Sequence, residues 1–564
     1  MKKFNLITIL AFATLVFTLS RAQSSEMEAN QDLSPFWKNA VVYFAMTDRF
    51  FNGDETNDLT VGRKADGSLL RGFHGGDIRG LIDKINDGYF DRLGVQVLWM
   101  TPVIENIHGP WIDEWGTTYA YHGYWPKDWT RVDPNFGTEQ DLKELFDTAH
   151  QHNMRVLLDV VINHVGPPTQ QDSVWPADWV RRSPNCDWKS FDGIANCTMV
   201  PSLPDVITEK QQEVEIPEFL QKKWQEEGRL KQEMSELNTF FNTTGYAKTP
   251  QNYLIKWLTD WVRDYGADGF RVDTAKHVGP EVWQRLKFQA EIALQEWRDN
   301  NPQRKLADLP FYMVGEVMEW GMLGFQHATE QGRAFDYGDR QVDFFDYGFD
   351  ALINMGFATH AYRDAVSLFE LYANQLNNGA LQGKGIINYI TSHDDIKPFD
   401  RKRQKTFESA TKLMLSPGAV QITFGDELAR NLVVPDAIGD EWLRTPVDWS
   451  AENMRDKRAI LHHWQQLGQF RAAHPAVGAG KHRKIDSQYQ VFSRTLQQSD
   501  QQDVVVIGLA LPAGEKTIPV APYFSEGEKL VDGYSGQVLQ VKNGQVQISN
   551  ANRLVLLAAT PYNE

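Results

Sequence analysis

Eight short apolar runs recur along the chain, at 41–46, 95–101, 156–162, 269–273, 311–316, 342–345, 386–391 and 420–424. Helical patterns such as 141–152, 253–264 and 280–300 lie between them. Strand-like runs that alternate with helical stretches read as βα units. Eight such units predict an α/β fold, a (β/α)8 TIM barrel, whose functional sites lie at the C-terminal ends of the strands.

The connection after the third run is too long for a plain loop. Residues 165–248 are rich in Pro, Trp, Asp and Asn, and a structureless loop of that length is improbable in a compact domain. An inserted subdomain is therefore expected there, with a charged helical stretch near 218–236 that reads as a solvated face. After 479 the pattern changes to short, often alternating runs at 489–495, 504–511 and 554–559, as in an antiparallel β domain. The expected division is 1–22 as a leader, 23–164 and 249–478 as the barrel, 165–248 as the insertion, and 479–564 as a C-terminal β-sandwich.

The leader reads as a secretory signal. Lys2 and Lys3 precede an apolar stretch at 7–19, and Ser20-Arg21-Ala22 places small residues where a signal peptidase cuts, so cleavage is expected after Ala22. That stretch is short for a membrane span, and no later segment approaches the length of one. The expected product is exported, periplasmic or extracellular, monomeric and without a stable membrane anchor. The net charge of −17 argues against nucleic acid or an anionic membrane as partner. In an oxidising compartment the two cysteines, Cys186 and Cys197, read as one local disulfide. The 18 tryptophans give flat apolar faces that suit sugar rings, although large barrels also pack aromatics.

The polar residues that carry chemistry fall at strand ends. The run 269–273 ends in Arg271 and Asp273, which share one face of an extended strand. A guanidinium beside a carboxylate favours its charged form, so Asp273 is expected to be ionised near neutral pH. The third run leads into Asn163 and His164, the fifth into Glu316, and the seventh into His393 and Asp394. Such a rim is rich in carboxylates, and glycoside hydrolysis needs two of them, one ionised and one protonated.

Together, DVVINH (159–164), GFRVDTAKH (269–277), GEV (315–317) and TSHD (391–394) resemble the four signature regions of the α-amylase family, glycoside hydrolase family 13, in the family's order. Residues 120–125 and 257–277 look most like bacterial periplasmic and secreted members. The seventh-strand motif has Ser392 where the family usually has Asn before the His. The resemblance implies a retaining hydrolase of α-1,4-glucans, with Asp273 as nucleophile, Glu316 as acid and then base, and Asp394 gripping the distorted sugar. Arg271 would align Asp273, and Glu316, away from the Arg, would hold its proton longer. His164, His393, Tyr124, His122 and Trp125 would bind sugar at the cleavage position, and Lys276 and His277 would contact the leaving-group side. The family's structural Ca2+ would be held by Asn163, Asp205 and the carbonyl of His277. A second Ca2+ would sit among Asn52, Asp54, Asn57, Asp58, Gly75 and Asp77. Transglycosylating or maltogenic relatives, and a glycan-binding protein without turnover, are the alternatives.

Overall fold

In a computed structural model that describes residues 32–303, 306–324, 333–498 and 501–559, eight parallel strands close into a barrel. The expected leader lies outside the described residues. The strands are β1 Val41–Ala45, β2 Val97–Met100, β3 Arg155–Val160, β4 Gly269–Val272, β5 Tyr312–Gly315, β6 Ala351–Asn354, β7 Gly385–Asn388 and β8 Ala419–Thr423. Each pairs with its neighbour in sequence, and Val41 opposite Val420 closes the ring between β1 and β8. All residues of the eight strands are buried, because helices cover the outside and side chains fill the inside.

Local chemistry starts and stops the outer helices. Asp77 caps α1 (Ile78–Asn86), and a Thr138–Asp141 capping box opens α2 (Glu139–Gln151). Two helices of the insertion follow, α3 (Glu218–Glu226) and α4 (Leu230–Thr244). Pro250 starts α5 (Pro250–Tyr265), and Gly266 ends it at φ 77°, where a Cβ would stand 2.3 Å from the Trp297 ring. The remaining long helices are α6 (Pro280–Asn300), α7 (Ala365–Asn378), α8 (Thr406–Met414) and α9 (Arg455–Ala473).

The sixth strand is not where the apolar run at 342–345 places it. Gln341–Val342 pairs antiparallel with Phe335–Asp336, and Phe344–Tyr347 is a 3-10 turn. The Asp343 carboxylate accepts the Phe345 N–H at 3.0 Å and so curls the chain there. The barrel takes Ala351–Asn354 instead, a four-residue run behind Gly348 and Asp350.

Tryptophan and charge knit the insertion to the barrel. Trp257 of α5 stacks on Trp179 and meets Trp224 edge-on, with ring centroids 6.1 Å apart in both pairs. The stretch 218–236 is not simply a solvated face. Lys223 Nζ reaches Glu105 at 2.7 Å and the buried Asp128 at 2.9 Å, and the Trp224 indole also donates to Asp128. Only its outer side, with Lys222 and Glu226, faces water. Most of the tryptophan therefore serves packing. Cys186 and Cys197 are bonded, closing a small loop of the insertion.

Beyond α9 the chain forms β9 Lys481–Asp486, β10 Val491–Gln498, β11 Gln501–Gly508, β12 Gly514–Pro519, β13 Lys529–Asp532, β14 Val538–Gln540, β15 Gln545–Asn550 and β16 Val555–Ala559. Six make an antiparallel sheet in the order β9-β10-β11-β16-β13-β14, and β12 pairs with β15. Val491, Val506, Ile518, Leu530, Val546 and Leu557 form a core between them. Among the described residues, no helix is long and apolar enough to cross a membrane.

Candidate active site

Strand register brings the charged side chains together. Arg271 of β4 lies level with Asp159 of β3, and Val272 lies level with Gly315 of β5, so Asp273 and Glu316 leave their strands side by side. Arg271 is 1% exposed and its guanidinium is shared by three acids: Asp159 at 2.9 Å, Asp273 at 2.8 Å and Glu316 at 3.0 Å. Asp159 is held from the other side by the Trp99 indole at 2.9 Å and the Tyr124 hydroxyl at 2.7 Å, so it serves as the anchor of the cluster. Asp273 and Glu316 also line a cleft of about 480 Å³, within the range of small-ligand sites.

The electrostatics differ from the sequence expectation in two ways. Arg271 does favour the ionised form of Asp273, yet burial together with the Asp159 charge raises that carboxyl above its ordinary value. Glu316 is not away from the Arg: it touches the guanidinium and accepts the Thr274 N–H at 3.0 Å. Burial still pushes it up to about 7, with Asp273 and Asp394 adding to the push and Arg271 opposing it. Asp394 goes the other way. Burial would raise it, but His393 and Arg444 outweigh burial and hold it far below the usual carboxylate range. The cleft thus contains one carboxyl poised to keep a proton near neutrality and one locked as an anion.

The other expected sugar-binding residues gather around this centre. Tyr124 lies parallel to His393 with centroids 5.5 Å apart, and His164 Nε2 meets the Tyr124 carbonyl at 2.9 Å. His122 Nδ1 accepts the Tyr124 N–H at 3.0 Å and packs against Trp125, and all of these except His393 line the same cleft. Across the opening, Lys276 pairs with Glu319 at 3.1 Å and His277 contacts the Ile194 carbonyl at 2.7 Å.

The sequence reading missed Arg444, Glu441 and Tyr121. Arg444 donates to Asp394 at 2.6 Å and to the His393 carbonyl at 3.1 Å, and it also pairs with Asp440. Glu441 binds the Tyr121 hydroxyl and Arg71. The only sequence signal was the Asp440–Arg444 spacing of four, which is common on helices. Asp159 was visible only as the first letter of its motif.

Among the described residues, no three His, Cys, Asp or Glu side chains cluster as a metal site, so both candidate Ca2+ positions depend on amide and carbonyl oxygens. Both Asp205 oxygens are buried without a hydrogen-bond partner, and burial pushes this carboxyl up to about 8. Asn163 adjoins it, and Arg181 Nε stands 3.1 Å away. In the second group Asn52 Oδ1 and Asn57 Oδ1 are buried and unpartnered, and Asn52 Nδ2 donates to Asp58 at 2.8 Å. Asp77 there is already engaged, accepting from the N–H groups of Gly53, Asp54 and Gly80. Asp54 accepts from Thr56, and Gly75 lies so close to Asn52 and Asp58 that a Cβ would clash with both. Unpartnered amide oxygens fit a hard cation at the second position, and at the first the buried Asp205 carboxylate, which Arg181 pairs with from one side, fits one as well.

The family description "Alpha amylase, catalytic domain" matches residues 44–453. Over 507 residues the chain is 37% identical to the periplasmic alpha-amylase of Escherichia coli (strain K12), which covers 79% of this chain and 69% of that protein. A cyclomaltodextrin glucanotransferase of Bacillus sp. (strain 1011) is 39% identical over 178 residues, covering 30% of this chain and 24% of the relative. Among solved structures, an Anoxybacillus alpha-amylase superposes with a TM-score of 0.64 at 21% identity, covering 94% of this chain and 99% of its own. An alpha-amylase of Geobacillus thermoleovorans complexed with acarbose gives 0.63 at 20%, covering 93% and 99%. At those identities the two structures share the fold.

Proposed function

The chain belongs to the α-amylase family, and we propose that it hydrolyses α-1,4-glucosidic bonds inside starch, glycogen or maltodextrin chains, retaining the anomeric configuration. The observation that carries this reading is the Arg271 guanidinium bonded to both Asp273 and Glu316 at the wall of an open cleft. Two carboxyl groups held side by side by one guanidinium, with burial pushing Glu316 up to about 7 as an acid requires, suit a double displacement.

Asp273 attacks the anomeric carbon while the bond to the leaving oxygen breaks and Glu316 gives that oxygen its proton. A glycosyl ester on Asp273 results. Glu316, now ionised, takes a proton from the water that attacks the same carbon, the ester bond breaks, and both carboxyl groups are restored. Arg271 aligns the pair. Asp394, an anion fixed by Arg444, accepts hydrogen bonds from sugar hydroxyls, with His164, His393, Tyr124, His122 and Trp125 around the same unit. Lys276 and His277 face the departing chain.

Two Ca2+ positions accompany this reading. Asn163, Asp205 and the His277 carbonyl would hold one, and Asn52, Asp54, Asn57, Asp58, Gly75 and Asp77 would hold the other. Bound there, the cation would compensate the Asp205 charge and tie the insertion to the barrel. Residues 1–22 support export to the periplasm or the medium, the barrel being 23–164 with 249–478, the insertion 165–248 and the β domain 479–564. Transfer to another sugar is the second reading, favoured by the glucanotransferase likeness.

The test is soluble starch with wild type and Asp273→Asn. Release of α-anomeric reducing ends by wild type alone, with the variant folded, is the expected result. Equal activity in both proteins would remove Asp273 from its role, and products longer than the substrate from maltoheptaose would shift the reading to transfer.

A further inference from the structure

Arg181 and Asp205 face each other across a short ladder inside the insertion. Val180–Arg181 pairs antiparallel with Asp205–Val206, which makes the two charged side chains direct cross-strand neighbours. The ladder is tied to the barrel just beyond β3. There Val206 N–H donates to the Asn163 carbonyl at 2.7 Å, and Val165 N–H donates to the Pro204 carbonyl at 3.0 Å. The Asp205 side chain is 3% exposed, and a carboxylate buried so deeply needs a compensating charge.

The guanidinium supplies that charge without taking up the oxygens. Its Nε stands 3.1 Å from an Asp205 oxygen, yet this N–H and both carboxylate oxygens lack a hydrogen bond. The hydrogen bonds of Arg181 go elsewhere: Nη1 donates to the Asn196 carbonyl at 2.7 Å, and Nη2 donates to the exposed Glu209. Arg181 is therefore anchored independently of Asp205 and acts on it as a fixed positive charge. Free carboxylate oxygens attract a hard cation, whereas a cation already beside them repels it. The two features oppose each other at one carboxylate.

We propose, resting on the Ca2+ reading of the Asp205 position, that Arg181 is a resident counter-cation for Asp205. It keeps the insertion docked on the barrel when Ca2+ is scarce, and its charge weakens the Ca2+ affinity of that position. Loss of the ion then leaves a paired carboxylate behind, not a bare one.

The test compares wild type, Arg181→Met and Arg181→Lys, each alone and combined with Asp205→Asn. The readouts are calorimetric titration with CaCl2 after chelator treatment, and melting temperature in chelator and in excess Ca2+. Arg181→Met is expected to bind Ca2+ about tenfold more tightly than wild type. It should melt several degrees lower than wild type in chelator and regain most of that loss in Ca2+, and a variant that folds only with Ca2+ present would support the assignment equally. Arg181→Lys keeps the charge and should stay within about threefold of the wild-type affinity. With Asp205→Asn in place, Arg181→Met should no longer alter the titration, which separates this position from the second one. Affinities of wild type and Arg181→Met within about twofold, or a loss of melting temperature that Ca2+ does not restore, would overturn the role of Arg181 alone. A titration that Asp205→Asn by itself left unchanged would remove the Ca2+ reading of Asp205, and the counter-cation role with it.

Discussion

Arg271 and the pair Arg471 and Arg494 are equally buried, at opposite ends of the barrel, and the protein surrounds them with opposite chemistry. Arg271 is enclosed by three carboxylates. Arg471, on α9, donates to the carbonyls of Asn39, Met414, Ser416 and Gly418, and Arg494, on β10, donates to those of Leu415 and Val477. Carbonyl dipoles satisfy N–H donors but do not cancel a charge. Burial therefore pulls Arg471 down to about 9 and Arg494 well below its ordinary range, while the acids hold Arg271 above its own. At the rim the cation is used for its charge, which opposes the upward push of burial on Asp273 and Glu316. At the floor the guanidinium is used for its N–H donors, which join barrel strand ends, α8 and the β domain.

The comparison breaks most sharply at the carboxylates. Glu316→Gln and Asp273→Asn each should cut starch hydrolysis by at least about 10³-fold. Neither should lower the melting temperature, because each replaces a carboxyl whose ionisation burial already disfavours. A melting temperature that fell with activity would mean that the rim serves stability as well. At the floor the reverse is expected: Arg471→Met leaves several buried carbonyls unpaired and should cost about 3 kcal/mol in urea unfolding. Its kcat, measured where the variant is still folded, should match wild type, and a large drop in kcat would refute the division of roles.

Titration sharpens the same contrast. The acid works in its protonated form, so kcat/KM should fall as pH rises through about 7, where Glu316 loses its proton. That limb should be missing from any residual activity of Glu316→Gln, and a wild-type profile flat to pH 9 would contradict the assignment. The smallest effect concerns Asp205. Removing Ca2+ with chelator should lower the melting temperature by a few degrees, roughly 1–2 kcal/mol. Asp205→Asn should shrink that difference to the part carried by the second position, and a chelator effect unchanged in the variant would remove Asp205 from the ligands.

Much of this was legible in the sequence because strand geometry is local. Arg271 and Asp273 had to share a face, and the motifs at 159–164, 269–277, 315–317 and 391–394 had to end strands. The sixth strand was not legible, since Val342, Phe344 and Phe345 are as apolar as any strand and only the Asp343 cap turns them aside. Arg444 was hidden for a different reason. Its partner Asp394 is 50 residues away along the chain, across a loop whose path no periodicity records. The surroundings of Glu316 were not legible, because the guanidinium that aligns Asp273 also reaches Glu316, a fact of register between β4 and β5 rather than of either motif.

The pairing of β1 with β8 also has a consequence for how the protein is made. Val41 waits for Val420, and Asp394 waits for Arg444, so neither the ring nor the candidate site is complete until the last barrel strand and the segment after it have been synthesised. β1 can pair with β2 early, but its other edge must stay open through most of translation, the kind of exposed edge that invites aggregation. A product truncated before residue 444 therefore lacks the clamp on Asp394. A complete Asp394–Arg444 pair thus marks a finished barrel.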